Sequence, residues 1–322
     1  MDTRHLEYFV AVAEELSFTR AAERLLAVQS TVSSGVAVLE RELGTPLFIR
    51  STRHVALTRA GTELLPQARA ALEAVDRMRS AGARATGRVT GSLRVGMLTN
   101  LESLGLPAIF GAFHRAHPAV ELSMRTSPRG STGLVDDVRR SRVDVAFCGL
   151  ASDELSGLHA QVLRRQPFVA LLPAGHRLAG EESLALADLL GEDFVDMPVG
   201  FGNRKILDDW LRAASLRRRV TLEVPDLSTV PAYVAAGLGI AVVPEQTAAG
   251  TAGVASVASA SAAADADGVG GAGNGVVGNG VVVVPLAERL VWELSVIARS
   301  EGRSPAVDAL LGHLARHLPS AD

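Results

Sequence analysis

Apolar residues recur at helical spacing near the start of the chain and predict two short helices separated by a tight turn. The first helix buries the apolar residues of 21–26, and Ser17 or Thr19 is its candidate N-cap. Gly44 and Pro46 end the second helix, because glycine and proline are typical of helix C-termini. The buried face of the second helix is predicted to consist of Val32, Val36, Leu39 and Leu43.

A strand, turn and strand are predicted over residues 47–57, with Arg50 and Arg53 at the turn. Helix, turn, helix and hairpin together are the pattern of a winged helix-turn-helix, which places its second helix in the DNA major groove. Such spacing also occurs in bundles that do not bind DNA, and an arginine-tipped hairpin is often only solvated. The candidate DNA contacts on the second helix are Gln29, Ser30, Thr31, Ser33 and Ser34.

A long helix is predicted to start at Thr58 and to run to about Ser80, followed by a small-residue linker over 80–91. Its near-heptad apolar seam favours pairing with a second copy of the chain. Packing of the seam against its own domain is the alternative. The seam consists of Leu65, Ala68, Leu72 and Val75.

From residue 92 onward strands and helices alternate, which predicts an α/β domain with a mainly parallel sheet. Strands are predicted at 93–98, 120–125, 143–149, 168–172, 194–197, 220–224, 239–244 and 294–298. Helices are predicted at 106–117, 134–141, 187–190, 203–214, 229–236 and 306–318.

Residues 247–280 consist largely of Ala, Gly and Ser and are predicted to form a disordered surface insertion between two strands. Two G-x-G-x-x-G strings occur in it, at 268–273 and 273–278. Neither string follows a predicted strand, and neither opens a predicted helix, so we expect no dinucleotide site.

Charge is unevenly distributed along the chain. The net charge of the 322 residues is −3, but residues 1–88 hold 12 Arg and 10 acidic residues, a net of +2, which leaves −5 for the remainder. A mildly basic head on an acidic body fits a DNA-binding domain attached to another domain. The length predicts two or three domains, and no apolar run long enough to cross a membrane is present, so we expect a cytoplasmic location.

Sequence motifs of catalysis and metal binding are missing: C-x-x-C, H-E-x-x-H, G-x-S-x-G and Walker sequences do not occur. His114 and His117 share a predicted helix but lack an evident third ligand. The single cysteine, Cys148, excludes an internal disulfide and is expected to be buried, with a redox switch as the alternative. We therefore expect neither an enzyme nor a bound metal or cofactor.

The N-terminal sequence resembles that of LysR-type transcriptional regulators. The similarity covers L-E-Y-F-V-A-V-A at 6–13, S-F-T-R-A-A-E-R-L at 17–25, L-E-R-E-L-G-T-P-L-F-I-R at 39–50 and L-T-R-A-G at 57–61. It departs from the family at Ser30, where proline is common, and at Ser34 and Gly35, where larger polar residues are common. These departures predict weak direct readout of bases by the second helix. The arginines of the hairpin at 47–57, which we call the wing, and the shape of the DNA are then expected to carry a larger share of DNA recognition.

The resemblance extends to the second half through R-V-D-V-A at 142–146 and V-A-A-G-L-G-I-A-V-V-P at 234–244. It implies an all-α winged helix-turn-helix domain at 1–58, a linker helix and hinge at 59–91, and an effector domain at 92–322. The effector domain would be a two-lobed α/β fold like that of type 2 periplasmic binding proteins. Lobe 1 would comprise about 92–166 and 288–322, and lobe 2 about 167–287.

The family's effector site lies between the lobes, at strand ends and helix starts. A hydroxyl at a helix start is more often an ordinary N-cap, so that interpretation stays open for each one. Arg129 and Arg204 are candidates to pair with a carboxylate, which favours a small organic anion as effector. The other candidate residues of the site are Thr99, Asn100, Ser131, Gly202, Asn203, Ser228 and Thr229.

The function implied is a transcription regulator that binds double-stranded promoter DNA as a homodimer or homotetramer and responds to a small-molecule effector. RNA polymerase is a further candidate partner, and no membrane partner is expected. The alternative is a small-molecule-binding module whose DNA binding is degenerate and largely nonspecific.

Overall fold

The chain forms two compact units. The structure, a computed structural model, describes residues 1–50, 54–84, 89–99, 101, 104–249, 276–277 and 280–318. The first unit comprises Met1–Ser92 with two short segments, His117–Glu121 and Ser304–Asp308, and the second unit comprises the rest.

The helix-turn-helix and hairpin predicted for the first unit are present. Ser17 is the N-cap of the helix Phe18–Arg24, the first of the predicted pair, since the Arg20 N–H donates to its Oγ at 3.3 Å. Gly44 adopts a left-handed conformation (φ +69°) and ends the third helix, as glycine does readily. The elements are α1 (Thr3–Glu15), α2 (Phe18–Arg24), α3 (Gln29–Leu43), β1 (Phe48–Arg50), β2 (Val55–Leu57) and α4 (Arg59–Arg84).

Aromatic packing fixes the hairpin to the helices. The ring of Phe48 in β1 lies 5.5 Å from that of Phe9 in α1 and 5.6 Å from that of Phe18 in α2. Val32 and Leu39 of α3 are fully buried beneath them. The direction of α3 and the position of the hairpin are therefore set by one shared core.

Helix α4 starts where predicted, with the Gly61 N–H donating to Thr58 Oγ1 at 3.0 Å, but it continues past the predicted end to Arg84. Residues 80–84 of the predicted linker are thus helical, and 85–88 lie outside the described residues. Of the predicted seam, Leu65 and Ala68 are buried in the core of their own unit, whereas Leu72 and Val75 are half-buried.

The second unit, together with residues 91–92, 120–121 and 305–308 of the first, alternates strands and helices. Its strands are β3 (Gly91–Met97), β4 (Val120–Thr126), β5 (Val145–Cys148), β6 (Leu158–Pro173), β7 (Asp193–Asp196), β8 (Arg219–Glu223), β9 (Ala241–Pro244), β10 (Val276–Val277), β11 (Val281–Pro285) and β12 (Val291–Arg299). Its helices are α5 (Leu106–Ala116), α6 (Gly130–Arg139), α7 (Gly202–Ala213), α8 (Val230–Ala235), α9 (Glu245–Ala249) and α10 (Pro305–His317).

The large sheet is mixed, so the prediction of a mainly parallel sheet was wrong. Its strand order is β10-β11-β6-β12-β5-β3-β4, with β9 also paired to β6. Strands β3 and β5 are parallel, but β6 pairs antiparallel with β9, β11 and β12. The prediction failed because 158–167 is rich in charged and polar residues and was not recognised as the first part of a 16-residue strand. Most of the predicted insertion at 247–280 lies outside the described residues.

Candidate functional site

The N-terminal part of α3 presents a polar face on a rigid core. Ser33 is half-buried, and the neighbouring Val32 and Val36 are fully buried. A helix held in this way can place its first turns against base edges and phosphates. The exposed residues of this face are Gln29, Ser30, Thr31 and Ser34.

Glu40 of α3 organises the start of the wing, a role that the sequence analysis missed. Its Oε1 accepts hydrogen bonds from the backbone N–H groups of Leu47 at 2.8 Å and Phe48 at 3.2 Å. Its Oε2 pairs with Arg50 Nη2 at 2.9 Å. Arg50 Nη1 also lies 3.4 Å from Ser33 Oγ. Arg50 is therefore held against α3. Arg53 lies outside the described residues.

Gly35 does not belong to the exposed polar face. It is buried against α1, and a Cβ at this position would lie 2.3 Å from Cδ2 of Tyr8. The absence of a side chain therefore serves helix packing and removes nothing from the surface of α3. The expectation that Gly35 weakens base readout does not follow from its position.

Four of the predicted effector residues surround one cavity in the second unit: Thr99, Ser131, Gly202 and Asn203. The cavity has a volume of about 30 Å³, enough for little more than a water molecule. Most of the remaining lining is apolar. Phe201, Gln246 and Trp292 also line the cavity, but they come from distant parts of the chain and carry no local motif by which the sequence could have identified them.

The polar groups around the cavity are held in place by hydrogen bonds. Ser131 Oγ accepts from the Gly149 N–H at 3.1 Å, and Asn203 Nδ2 donates to Asp196 Oδ1 at 3.4 Å. Gln246 Oε1 accepts from Arg164 Nη1 at 3.0 Å and from Gln166 Nε2 at 2.6 Å. No residue that lines the cavity within the described part of the chain carries a formal charge.

Four glycines permit close contacts beside the cavity, and Gly202 also lines it. We call them the glycine clasp: Gly130, Gly149, Gly200 and Gly202. A Cβ on Gly202 would lie 2.0 Å from the Gly149 carbonyl oxygen, and one on Gly130 would lie 2.6 Å from the Phe201 ring. The Thr132 N–H donates to the Gly200 carbonyl at 3.1 Å. The backbone around α6 therefore touches the backbone at the start of α7 directly.

The remaining predicted effector residues do not line this cavity. Arg129 is more than half exposed and pairs with Asp136 at 3.1 Å. The hydroxyls of Ser228 and Thr229 donate to Asp226 Oδ1 at 2.8 Å and to the Asp226 carbonyl at 2.7 Å, and Asp226 itself caps this turn by accepting from the Ser228 N–H. Asn100 lies outside the described residues.

Arg204 belongs to a charged cluster at the start of α7. Its Nε lies 2.6 Å from Asp208 Oδ2, and its Nη1 donates to the Met197 carbonyl at 3.0 Å. Arg218 pairs with Asp208 and with Asp196, and both Arg218 and Asp196 have side chains only 3% exposed. Burial raises the pKa of the Asp196 carboxyl, and the charge of Arg218 opposes that rise. The cluster holds α7 against β7 and β8, so Arg204 is engaged away from the cavity.

Family models match both units of the chain. The model described as "Bacterial regulatory helix-turn-helix protein, lysR family" covers residues 3–62, and that described as "LysR substrate binding domain" covers residues 86–260. The chain belongs to the LysR family. It is a DNA-binding transcription regulator with an effector-binding domain, and the family is not one of enzymes.

Several LysR-family regulators are similar to this chain over most of their length. The transcriptional dual regulator GltC of Bacillus subtilis is 33% identical over 78% of this chain and 83% of its own. A probable hydrogen peroxide-inducible genes activator of Mycobacterium avium is 33% identical over 74% of this chain and 76% of its own. The solved structure of a full-length OxyR variant from Pseudomonas aeruginosa is 26% identical and covers 98% of this chain and 95% of its own, with a TM-score of 0.68.

LysR regulators bind promoter DNA and effectors and form oligomers. Among the described residues, no helix is both long and apolar enough to span a membrane. The same part of the chain contains no group of three or more His, Cys, Asp or Glu side chains placed to hold a metal ion.

Proposed function

We propose that two copies of this regulator read the half-sites of a roughly palindromic operator in promoter DNA. The observation that supports this most directly is the polar first turn of α3, exposed on a rigid core beside Arg50. Gln29, Ser30, Thr31, Ser33 and Ser34 would contact bases and phosphates, and Arg50 and Arg53 would add charge from the wing. The domain boundaries proposed are 1–58 for DNA binding, 59–91 for the linker and 92–322 for effector binding.

Pairing of two chains through α4 is part of the proposal. Leu72 and Val75 are half-buried and Met78 is 68% exposed, so the distal part of the helix retains apolar surface that a second α4 could cover. Leu65 and Ala68 would contribute less, because they already pack inside their own unit. Two such dimers would form the tetramer.

The proposed effector is a small organic anion with an apolar body, bound at the cavity. Phe201 and Trp292 offer apolar surface, and α6 and α7 begin at the glycine clasp. The N–H groups at the start of α7 favour an anion without a neighbouring cation, whereas the Thr132 N–H in the first turn of α6 is already bonded to the Gly200 carbonyl. Since 30 Å³ cannot hold an organic molecule, the cavity must enlarge to admit one, and the proposed movement is a separation at the glycine clasp. Opening between lobe 1 (92–166 and 288–322) and lobe 2 (167–287) would then change the arrangement of the DNA-bound oligomer. In the cytoplasm, such a change would alter contact with RNA polymerase.

A DNase footprint on the DNA upstream of its own gene tests the regulator hypothesis. We expect a protected, nearly palindromic site that the double variant Arg50→Ala, Arg53→Ala no longer protects, because phosphate and groove contacts from the wing are lost. Arg177→Ala is the matched control, since Arg177 pairs with Glu192 at 2.9 Å in the second unit, as Arg50 pairs with Glu40. Diffuse, salt-sensitive protection by the wild type would contradict sequence-directed regulation and favour the nonspecific alternative.

We predict that this regulator does not sense peroxide through Cys148. Cys148 is the chain's one cysteine and is buried, and burial raises its pKa to about 12. The thiolate, which is the reactive form, is then populated at only about 1 part in 10⁵ at neutral pH. We expect no labelling by a thiol reagent in the native protein, one label per chain after unfolding, and the same DNA affinity before and after peroxide. Rapid labelling of the native protein would contradict this.

A further inference from the structure

The turn between α2 and α3 exposes two large apolar side chains next to the proposed DNA-reading residues. Leu26 is 96% exposed and Val28 is 67% exposed. The turn itself is closed by backbone hydrogen bonds, from the Leu26 N–H to the Glu23 carbonyl at 3.1 Å and from the Ala27 N–H to the Ala22 carbonyl at 2.9 Å. Both side chains therefore project from a fixed backbone.

Both residue types are unfavourable at these backbone positions if the side chains remain exposed to solvent. Leu26 has a left-handed conformation (φ +49°), which asparagine or glycine adopts more readily than leucine. Val28 occupies the N-cap of α3 and makes no side-chain hydrogen bond, although Ser, Thr, Asp or Asn would satisfy an N–H group there. Local rules that are broken together on an exposed surface are typical of functional sites.

We propose that Val28, flanked by Leu26, reads thymine methyl groups in the major groove. The inference rests on the proposed DNA-reading function of α3, because Val28 immediately precedes Gln29 on the same helix end. The C5 methyl of thymine is the apolar feature that base edges present in the major groove, and small apolar side chains pack against it. The uncapped N–H groups of α3 are left for a DNA phosphate.

This assignment explains base selectivity on a helix whose polar residues are mostly short. The serine and threonine hydroxyls of the first turn bond to several bases and discriminate weakly between them. An apolar contact distinguishes thymine from cytosine, which carries an amino group and no methyl. A preference for A·T pairs at the start of each half-site follows.

Replacement of single thymines by deoxyuridine tests the inference, since it removes the methyl group alone. The probe is double-stranded DNA that the full-length wild-type protein selects from a random pool. We expect at least one thymine per half-site where deoxyuridine weakens wild-type binding by about threefold to tenfold, the range for one methyl group. The same replacement should leave the affinity of Val28→Ser unchanged, and Leu26→Asn should reduce the sensitivity.

Matched variants separate folding from recognition. Leu16 has nearly the same backbone conformation as Leu26 (φ +47°) and is 50% exposed in the α1–α2 turn, so Leu16→Asn should retain the wild-type sensitivity to deoxyuridine. All three substitutions place a residue that suits the local backbone, and thermal unfolding should show no loss of stability. The inference would be overturned if deoxyuridine at no thymine position lowered the affinity of the wild type. It would also be overturned if Val28→Ser lost as much affinity on this replacement as the wild type. Failure to select any sequence would instead overturn the proposed function, and the inference with it.

Discussion

Replacement of Gly202 by alanine should separate the two sides of the glycine clasp without any effector. The added Cβ would lie 2.0 Å from the Gly149 carbonyl oxygen, which is backbone and has no rotamer with which to move away. The two segments must part by about 1 Å or more to reach an ordinary contact distance. We expect the effector-free variant to give a changed footprint length and DNA bend, because the opening proposed for effector binding would already have occurred.

The control for this prediction is Gly191→Ala, at a glycine where a Cβ meets no atom within 4 Å and the backbone is unstrained. Small-angle scattering should show a larger radius for Gly202→Ala than for the control, and thermal unfolding should occur at a lower temperature. A footprint, radius and unfolding temperature equal to those of the wild type would show that the clasp does not hold the cleft closed.

Replacement of Glu14 by alanine should strongly destabilise the first unit. The Glu14 carboxylate lies 3.0 Å from Nη2 of Arg69 and 2.6 Å from Nη1 of Arg24, and so joins α1 to α4 and α2. The Arg69 side chain is only 5% exposed, so the substitution removes a partner from a buried charge. Loss of one hydrogen-bonded partner of a buried group typically costs about 1 to 3 kcal/mol of the free energy of unfolding. Chemical denaturation followed by circular dichroism measures it.

The exposed pair formed by Arg59 and Glu63 provides the control. Its side chains are 93% and 67% exposed, so Glu63→Ala should change the free energy of unfolding by less than about 1 kcal/mol. Equal changes in the free energy of unfolding for the two substitutions would show that burial does not increase the contribution of the Glu14 pair to stability.

Acid should remove part of this stabilisation from the wild type. Burial alone would raise the pKa of Glu14, but its hydrogen bonds and charge interactions with Arg24 and Arg69 outweigh this and hold the pKa below 4.5, its ordinary value. The stabilisation is therefore present above the ordinary pKa and disappears as the pH falls through the lowered one. Glu14→Ala should show a correspondingly smaller loss of stability in acid.

In the first unit, local sequence determined most of the structure. The spacing of Val32, Val36 and Leu39 fixed the buried face of α3, and Ser17 and Gly44 set helix ends by local hydrogen bonding and backbone conformation. Such signals act within one or two helical turns, which is why they can be recognised without knowledge of the rest of the chain. They also identified the exposed polar residues proposed to read DNA.

Long-range contacts decided the features that the sequence left open or predicted incorrectly. The α/β alternation was evident, but strand direction depends on which segments pair, and no residue pattern in 158–173 shows that this strand runs antiparallel to its neighbours. Likewise, the sequence suggested that Gly35 removes a contact to a base. The structure shows instead that the Tyr8 ring occupies the space that a side chain at this position would need.

The family, the helix-turn-helix and its polar face could be recognised from the sequence alone, because they depend on residues close together in the chain. The folded chain was needed to show which candidate residues share a site. Ser131, Asn203 and Trp292 meet at one cavity although they are far apart in sequence, and Arg204 is held by Asp208 and Met197 outside it. The physical reason is that a charged side chain takes whichever partners the fold brings within hydrogen-bond distance, and only the packed chain specifies those partners.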